Sequence, residues 1–171
     1  MERSWAMPNK WTFLIKPIKK LLDTEMAYNE LWIDPYAGKH SPAKIRNDIN
    51  PDNPAEYHLD ALDFVKRFDN NSIDGILLDP PYSSHQISQC YKSLGLRVSQ
   101  HTIQSSFYAN VHREVPRILK PNGKVITFGW HSNGVGNSKL FKLKRILLVA
   151  HGGHHNDTIV TVEQKINQSL F

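Results

Sequence analysis

A short apolar run, Gly75-Ile76-Leu77-Leu78, meets Asp79-Pro80-Pro81-Tyr82, and this junction constrains the fold more than any other stretch of the chain. The run reads as a buried strand. Two successive prolines donate nothing to a sheet ladder, so the strand must stop where they begin. Their carbonyls remain as acceptors with no backbone donor of their own beside them. An acid, two ring-stiffened residues and an aromatic side chain at a strand end make a rigid, flat-walled polar corner suited to a planar amine. Open α/β sheets bind ligands just outside the C-terminal ends of their strands, so the position agrees with the composition.

The rest of the chain reads as strands alternating with helices, without repeats or low-complexity segments. Residues 11–15 are expected to be extended and 16–22 to form a short amphipathic helix. Leu31-Trp32-Ile33 is a first strand, ending at Asp34-Pro35-Tyr36-Ala37-Gly38. Residues 44–48 form a second, stopped by the turn-rich Asn50-Pro51-Asp52-Asn53-Pro54, and 57–59 a third. A helix over 62–68 buries Leu62, Phe64, Val65 and Phe68, and leads to the strand before Asp79. A second long helix covers 106–119, where Pro116 forces a kink or an early end. Lys120-Pro121-Asn122-Gly123 is a turn into a fifth strand at 124–128. Strands at 145–150 and 158–163, joined by a Gly/His loop, make a terminal antiparallel hairpin at the sheet edge. The expected fold class is α/β: a seven-stranded, mainly parallel sheet with helices on both faces.

A length of 171 residues suits a single domain over 1–171. Apolar runs such as residues 146–150 are far too short to span a bilayer, and Met1-Glu2-Arg3-Ser4-Trp5 lacks the apolar core of a secretory signal. Cys90 is the single cysteine, which excludes an internal disulfide and a cysteine-based zinc site within one chain and points to the cytoplasm. The formal net charge of +5 favours a polyanionic partner. Its cations are dispersed, from Lys16, Lys19 and Lys20 through Lys39, Lys44 and Arg46 to Lys139, Lys142, Lys144 and Arg145, as expected of a folded basic face rather than a basic tail.

Four expected strands end in an acid: Asp34, Asp48, Asp60 and Asp79. In a parallel sheet these ends share one rim, and a row of carboxylates there suits a ligand bearing hydroxyls, amines or positive charge. An acid that ends the second strand commonly accepts from ribose hydroxyls. Gly38 lies in the first strand-to-helix turn, where a glycine lets the backbone approach a ligand closely.

These ordered motifs resemble those of S-adenosylmethionine-dependent amino-methyltransferases, and among them the adenine-N6 DNA methyltransferases. The likeness covers most of the chain and implies a Rossmann-like methyltransferase fold. Trp11-Thr12-Phe13-Leu14-Ile15-Lys16-Pro17 resembles the segment beside the cofactor methionine, which brings Phe13 into the expected site. By the same resemblance Asp34 and the backbone of Tyr36, Ala37 and Gly38 would hold that methionine. Asp48 would bind the ribose and Ile49 would pack on the cofactor adenine, whose amine Asp60 would take, with an amide from Ala61. Asp79, Pro80, Pro81 and Tyr82 would be the catalytic set, and Asp79 would also count among the cofactor-binding residues. Asp79 and the Pro80 carbonyl would accept from the target amine, and Tyr82 would stack on a flipped-out base. DNA is the implied partner, within a phage or restriction-modification system.

The chain departs from the family in two places. His40 stands where a second glycine is usual in the turn Gly38-Lys39-His40-Ser41-Pro42, and no stretch of these 171 residues reads as a separate target-recognition module. Residues 83–104 are expected to form a mobile loop with some helix, either a substrate loop that reads the target or a lid, and recognition would otherwise come from a homodimer or a separate specificity partner. His151-Gly152-Gly153-His154-His155 has the composition of a metal trap, but methyl transfer needs no metal and none is expected. Trp130 would wall the target pocket or sit in the core; Trp5, Trp11 and Trp32 read as structural. Two other readings stand beside the main one: an rRNA guanine-N2 methyltransferase, and a non-catalytic binding subunit.

Overall fold

A computed structural model describes residues 1–81, 83–95, 106–137, 139–153 and 155–167. Its elements, in chain order, are β1 (Glu2–Trp5), a 3-10 turn (Thr12–Leu14), α1 (Lys16–Glu25), β2 (Trp32–Asp34), β3 (Ile45–Arg46), α2 (Ala61–Lys66), β4 (Ile73–Leu78), α3 (Ser84–Ser93), α4 (Ser106–Ile118), β5 (Leu119–Gly129), β6 (Phe141–Ala150) and β7 (Thr158–Lys165). The strands form one seven-stranded sheet in the order β1-β6-β7-β5-β4-β2-β3. Every pairing is parallel except those of β7, which runs antiparallel to both β5 and β6. The expected fold class holds.

Its membership differs from expectation in three ways. The stretch 57–59 is no strand; it contributes one isolated bridge, Asn47 to Tyr57. The seventh place is taken by β1, whose Glu2-Arg3-Ser4-Trp5 has no apolar signal and joins by pairing its backbone with Leu147 to Ala150 on β6. The hairpin is not an edge either: β7 sits between β5 and β6, because its Val160 and Val162 are fully buried. Smaller shifts follow local chemistry. Residues 12–14 make a 3-10 turn rather than an extended run. α1 continues to Glu25, whose carboxylate meets Lys124 at 3.1 Å and Arg145 at 2.8 Å. Burial alone would raise that carboxyl, and the hydrogen bonds and charges of Arg145 and Lys124 outweigh it. The turn at 120–123 lies inside β5 as an excursion, with Asn122 in the left-handed region at φ 65°.

Two apolar layers hold the sheet, as a period of two along buried strands requires. On one face Ile18, Leu21 and Leu22 of α1 pack with Phe13 onto Trp32, Leu77, Ile126, Val160 and Val162. On the other, Phe64 and Val65 of α2 and Val111, Val115 and Ile118 of α4 pack onto Ile33, Ile76, Leu78 and Val125. Gly75 is required beneath Trp32, since a Cβ there would lie 2.4 Å from the indole. Pro116 does not end α4, and the next residue, Arg117, donates to the Phe68 carbonyl at 2.7 Å just past α2, locking the two helices together. No helix among the described residues is long and apolar enough to cross a membrane.

Candidate active site

The ends of β2, β3 and β4 carry the expected acids on one rim. Asp34 ends β2 and is fully buried; it accepts from the Tyr36 amide at 2.8 Å and the Ser41 hydroxyl at 2.6 Å. The chain then turns through Gly38, left-handed at φ 57°, whose amide donates to Asp48 Oδ2 at 2.8 Å. Asp48 Oδ1 accepts from Asn50 at 2.8 Å, and Ile49 beside it is half-buried. His40, in place of a second glycine, is exposed and sets its ring edge against Trp11 with centroids 5.1 Å apart. Phe13 is buried against Phe128 at 5.4 Å, edge to face.

Asp60 does not end a strand. It caps α2, accepting from the Leu62 amide at 2.9 Å, which is what an acid before Ala61-Leu62-Asp63 does well. Its other oxygen accepts from the Tyr91 hydroxyl of α3 at 3.4 Å. Helix α3 is the helical part expected within 83–104, of which residues 96–104 lie outside the described set.

Sequence reasoning missed Asn47. Its buried amide donates to the Pro35 and Leu59 carbonyls, each at 3.0 Å, and its Oδ1 accepts from the Leu59 amide at 2.9 Å. Its backbone accepts from Ala37 at 2.9 Å and donates to the Asp34 carbonyl at 2.8 Å. One residue therefore sets the spacing of the segments bearing Asp34, Asp48 and Asp60. The available signal was an asparagine just past the end of a short strand, one residue before Asp48.

Asp79, Pro80 and Pro81 follow β4 and are half-buried; Tyr82 lies outside the described residues. The Tyr108 hydroxyl of α4 donates to the Pro81 carbonyl and fixes the corner from one side. A cavity of about 160 Å³ opens beside it, floored by Leu78 and Thr127, with Pro80 and His112 among its walls and Trp130 and His131 facing them. Trp130 does line this pocket. Its loop is held by Glu163 of β7, which accepts from the Val135 amide at 2.8 Å. Gly134 is obligatory there: a Cβ would come within 2.1 Å of the Glu163 carboxylate. Burial holds the His112 imidazole below its usual value, and the charge of His131 adds to the effect. The His151 ring, by contrast, is spent on structure, with one nitrogen on the Ala6 carbonyl at 3.0 Å and the other on the Thr158 hydroxyl at 2.9 Å.

Burial pushes Asp34 up to about 7, against the hydrogen bonds from Ser41 and Tyr36 and with help from the charges of Asp79 and Asp48. The unfolded carboxyl titrates near 3.8. Between those values the native state holds a proton that the unfolded chain has lost, so this group's contribution to stability falls as pH rises from about 4 to about 7. The loss is a few kcal/mol at most. Glu163, raised by burial, adds a change of the same sign. Urea midpoints of the wild type are expected to fall between pH 5 and pH 7.5, and those of Asp34→Asn to fall less; parallel curves would refute a proton on Asp34.

No protein-family model matches the chain. No curated protein matches it. Solved structures do share its fold. TrmN from Thermus thermophilus superposes with a TM-score of 0.60 at 17% identity, over 90% of this chain and 49% of that one, so the chain spans about half the length of TrmN. The 1,6-didemethyltoxoflavin-N1-methyltransferase of Burkholderia thailandensis, solved with 1,6-didemethyltoxoflavin and S-adenosylhomocysteine, gives 0.58 at 11% identity, over 89% and 78%. A SAM-dependent methyltransferase from Methanosarcina mazei gives 0.51 at 10%, over 85% and 97%. The strands that carry Asp34, Asp48 and Asp79 thus belong to a fold that this chain shares with methyltransferases.

Proposed function

We propose that this protein transfers a methyl group from S-adenosylmethionine to the exocyclic N6 amine of adenine in DNA. The observation that carries this reading is the Asp79-Pro80-Pro81 corner, with a cavity on one side and a row of cofactor-type acids on the other. The acids fit such a cofactor. Each oxygen of Asp48 accepts one amide and keeps a lone pair, so the pair suits the two hydroxyls of a ribose. Asp60 has acceptor capacity for an adenine amine, and Ala61 starts a helix, where amides lack intrahelical partners. The Tyr36 hydroxyl is buried without a partner among the described residues, beside Asp34 and Asp60. Asp34 suits the amino group of the methionine part, whose charge would draw the carboxyl back to its ionised form.

The cofactor supplies an electrophilic methyl group on a positively charged sulfur. The chain's own residues prepare the nucleophile. An aromatic amine is weakly nucleophilic because its lone pair is delocalised into the ring. Asp79 and the Pro80 carbonyl, accepting its two hydrogens off the base plane, favour a tetrahedral nitrogen and free that lone pair. The carboxylate also stabilises the positive charge that develops on nitrogen, and the rigid proline walls hold the approach in line.

The test is methyl transfer with labelled cofactor to DNA and to rRNA side by side, followed by base-resolution mapping of the product. Label on adenine N6 in DNA is the expected result. Label confined to rRNA would replace this reading with guanine-N2 methylation, and no cofactor binding by the folded protein would leave a binding subunit.

A further inference from the structure

The sheet is covered unequally. Strand register places Gly129, Ile159, Leu148 and Arg3 in one row across β5, β7, β6 and β1. By the alternation along β5 this row lies on the same face as Thr127, the floor of the target cavity. The connection from β5 to β6 contains no helix among its described residues, and the face beyond it is open. A Cβ on Gly129 would meet nothing within 4 Å, and Ile159 and Leu148 are only half-buried. Trp5, two residues past Arg3 on the same face, is 62% exposed, and Trp130 is 45% exposed. Trp5 is therefore not the structural residue its sequence context indicates.

Charge on this face is one-sided. Arg3 is exposed and makes no ion pair among the described residues. The neighbouring carboxylates are engaged elsewhere: Glu2 with Arg145 at 3.0 Å, Asp157 with the His151 amide at 3.1 Å, and Glu163 with Val135 at 2.8 Å. Two exposed indoles, with an exposed cation on the strand of one of them and the nearby acids engaged elsewhere, are the components of a single-strand track. A duplex, whose bases are already stacked, has no use for the indole faces.

We propose that a single-stranded segment of the nucleic acid flanking the target lies across the ends of β5, β7, β6 and β1, with bases stacked on Trp130 and Trp5 and a phosphate on Arg3. The strands that carry the two indoles lie about 14 Å apart by three strand spacings, a reach that a few nucleotides cover. This rests on the proposed function in taking the substrate to be a nucleic acid and the cavity beside Pro80 to be its target pocket.

The experiment is fluorescence anisotropy of labelled short single strands, DNA and RNA of one sequence, against the full chain, with the duplex as competitor. Trp5→Ala is expected to weaken single-strand binding by about tenfold or more. Trp5→Tyr should keep most of the affinity, and Arg3→Gln should lower the salt slope by roughly 0.7. The DNA and RNA arms identify the sugar. Unchanged affinity in a folded Trp5→Ala protein, or a Trp5 effect seen only as loss of self-association in sedimentation, overturns the proposal. If the wild type methylates DNA and that Trp5 result holds, this inference fails alone. If Trp5-dependent binding occurs without methyl transfer, the proposed function fails alone; a wild type that binds duplex and not single strands overturns this inference alone, and one that binds neither and transfers no methyl group overturns both.

Discussion

Asp79→Ala is expected to lower methyl transfer by at least about a hundredfold, the effect of deleting one group that stabilises charge in a transition state. Asp79 follows β4 at the half-buried rim and is not part of either apolar layer, so the variant should fold. The loss should appear in kcat, because the carboxylate matters most as positive charge builds on the target nitrogen. Asp79→Asn keeps an acceptor but removes the charge, and should fall between wild type and alanine. A readout independent of turnover comes from the neighbouring acid. The charge of Asp79 helps to raise Asp34, so Asp79→Ala should move the pH-dependent loss of stability to lower pH. Wild-type turnover in the alanine variant would remove Asp79 from the proposed chemistry.

The parts of this fold that could be read from sequence are those where local chemistry and long-range packing agree. The β4 run is buried on both faces and ends at two prolines, so its position needs no knowledge of its neighbours. The same holds for Ile18, Leu21 and Leu22 of α1, whose helical spacing matches the layer they fill. Elements that exist only through partners were not readable. Polar β1 is a strand because β6 offers an unpaired edge, and residues 57–59 fail as a strand despite suitable residues because a single bridge to Asn47 is all that forms. Asp60 shows a milder failure. Its chemical role as an acceptor was legible, but the helix cap it makes and the strand end it was assigned share the same Asp-rich signature. Tyr108 and Glu163 support the site from α4 and β7, far from its motifs in sequence, and only the folded chain brings them there.

Asn47→Ala tests that distinction between motif and support. Its side chain makes three hydrogen bonds in a buried setting, and alanine would leave two carbonyls and one amide without those partners. A net loss of about 3–5 kcal/mol follows from roughly 1–1.5 kcal/mol per bond plus the cost of any group left unpaired. For a domain of this size that corresponds to a fall in Tm of about 10 °C, measured by calorimetry. The Asn47 side chain spends its hydrogen bonds on the Pro35 and Leu59 backbone, so its effect on ligand would be indirect. Below its melting point the variant should bind S-adenosylhomocysteine at least about tenfold more weakly, because the segments bearing Asp34, Asp48 and Asp60 lose their common spacer. Asp79→Ala should lose much less of its affinity for that ligand than Asn47→Ala does. If Asn47→Ala melts lower but keeps full affinity, the residue stabilises the fold without setting the site. If it does neither, the three bonds are not what aligns the rim. A joint fall in both quantities, with Asp79→Ala largely sparing them, would separate the residue that shapes the proposed cofactor cleft from the one proposed to act on the target amine.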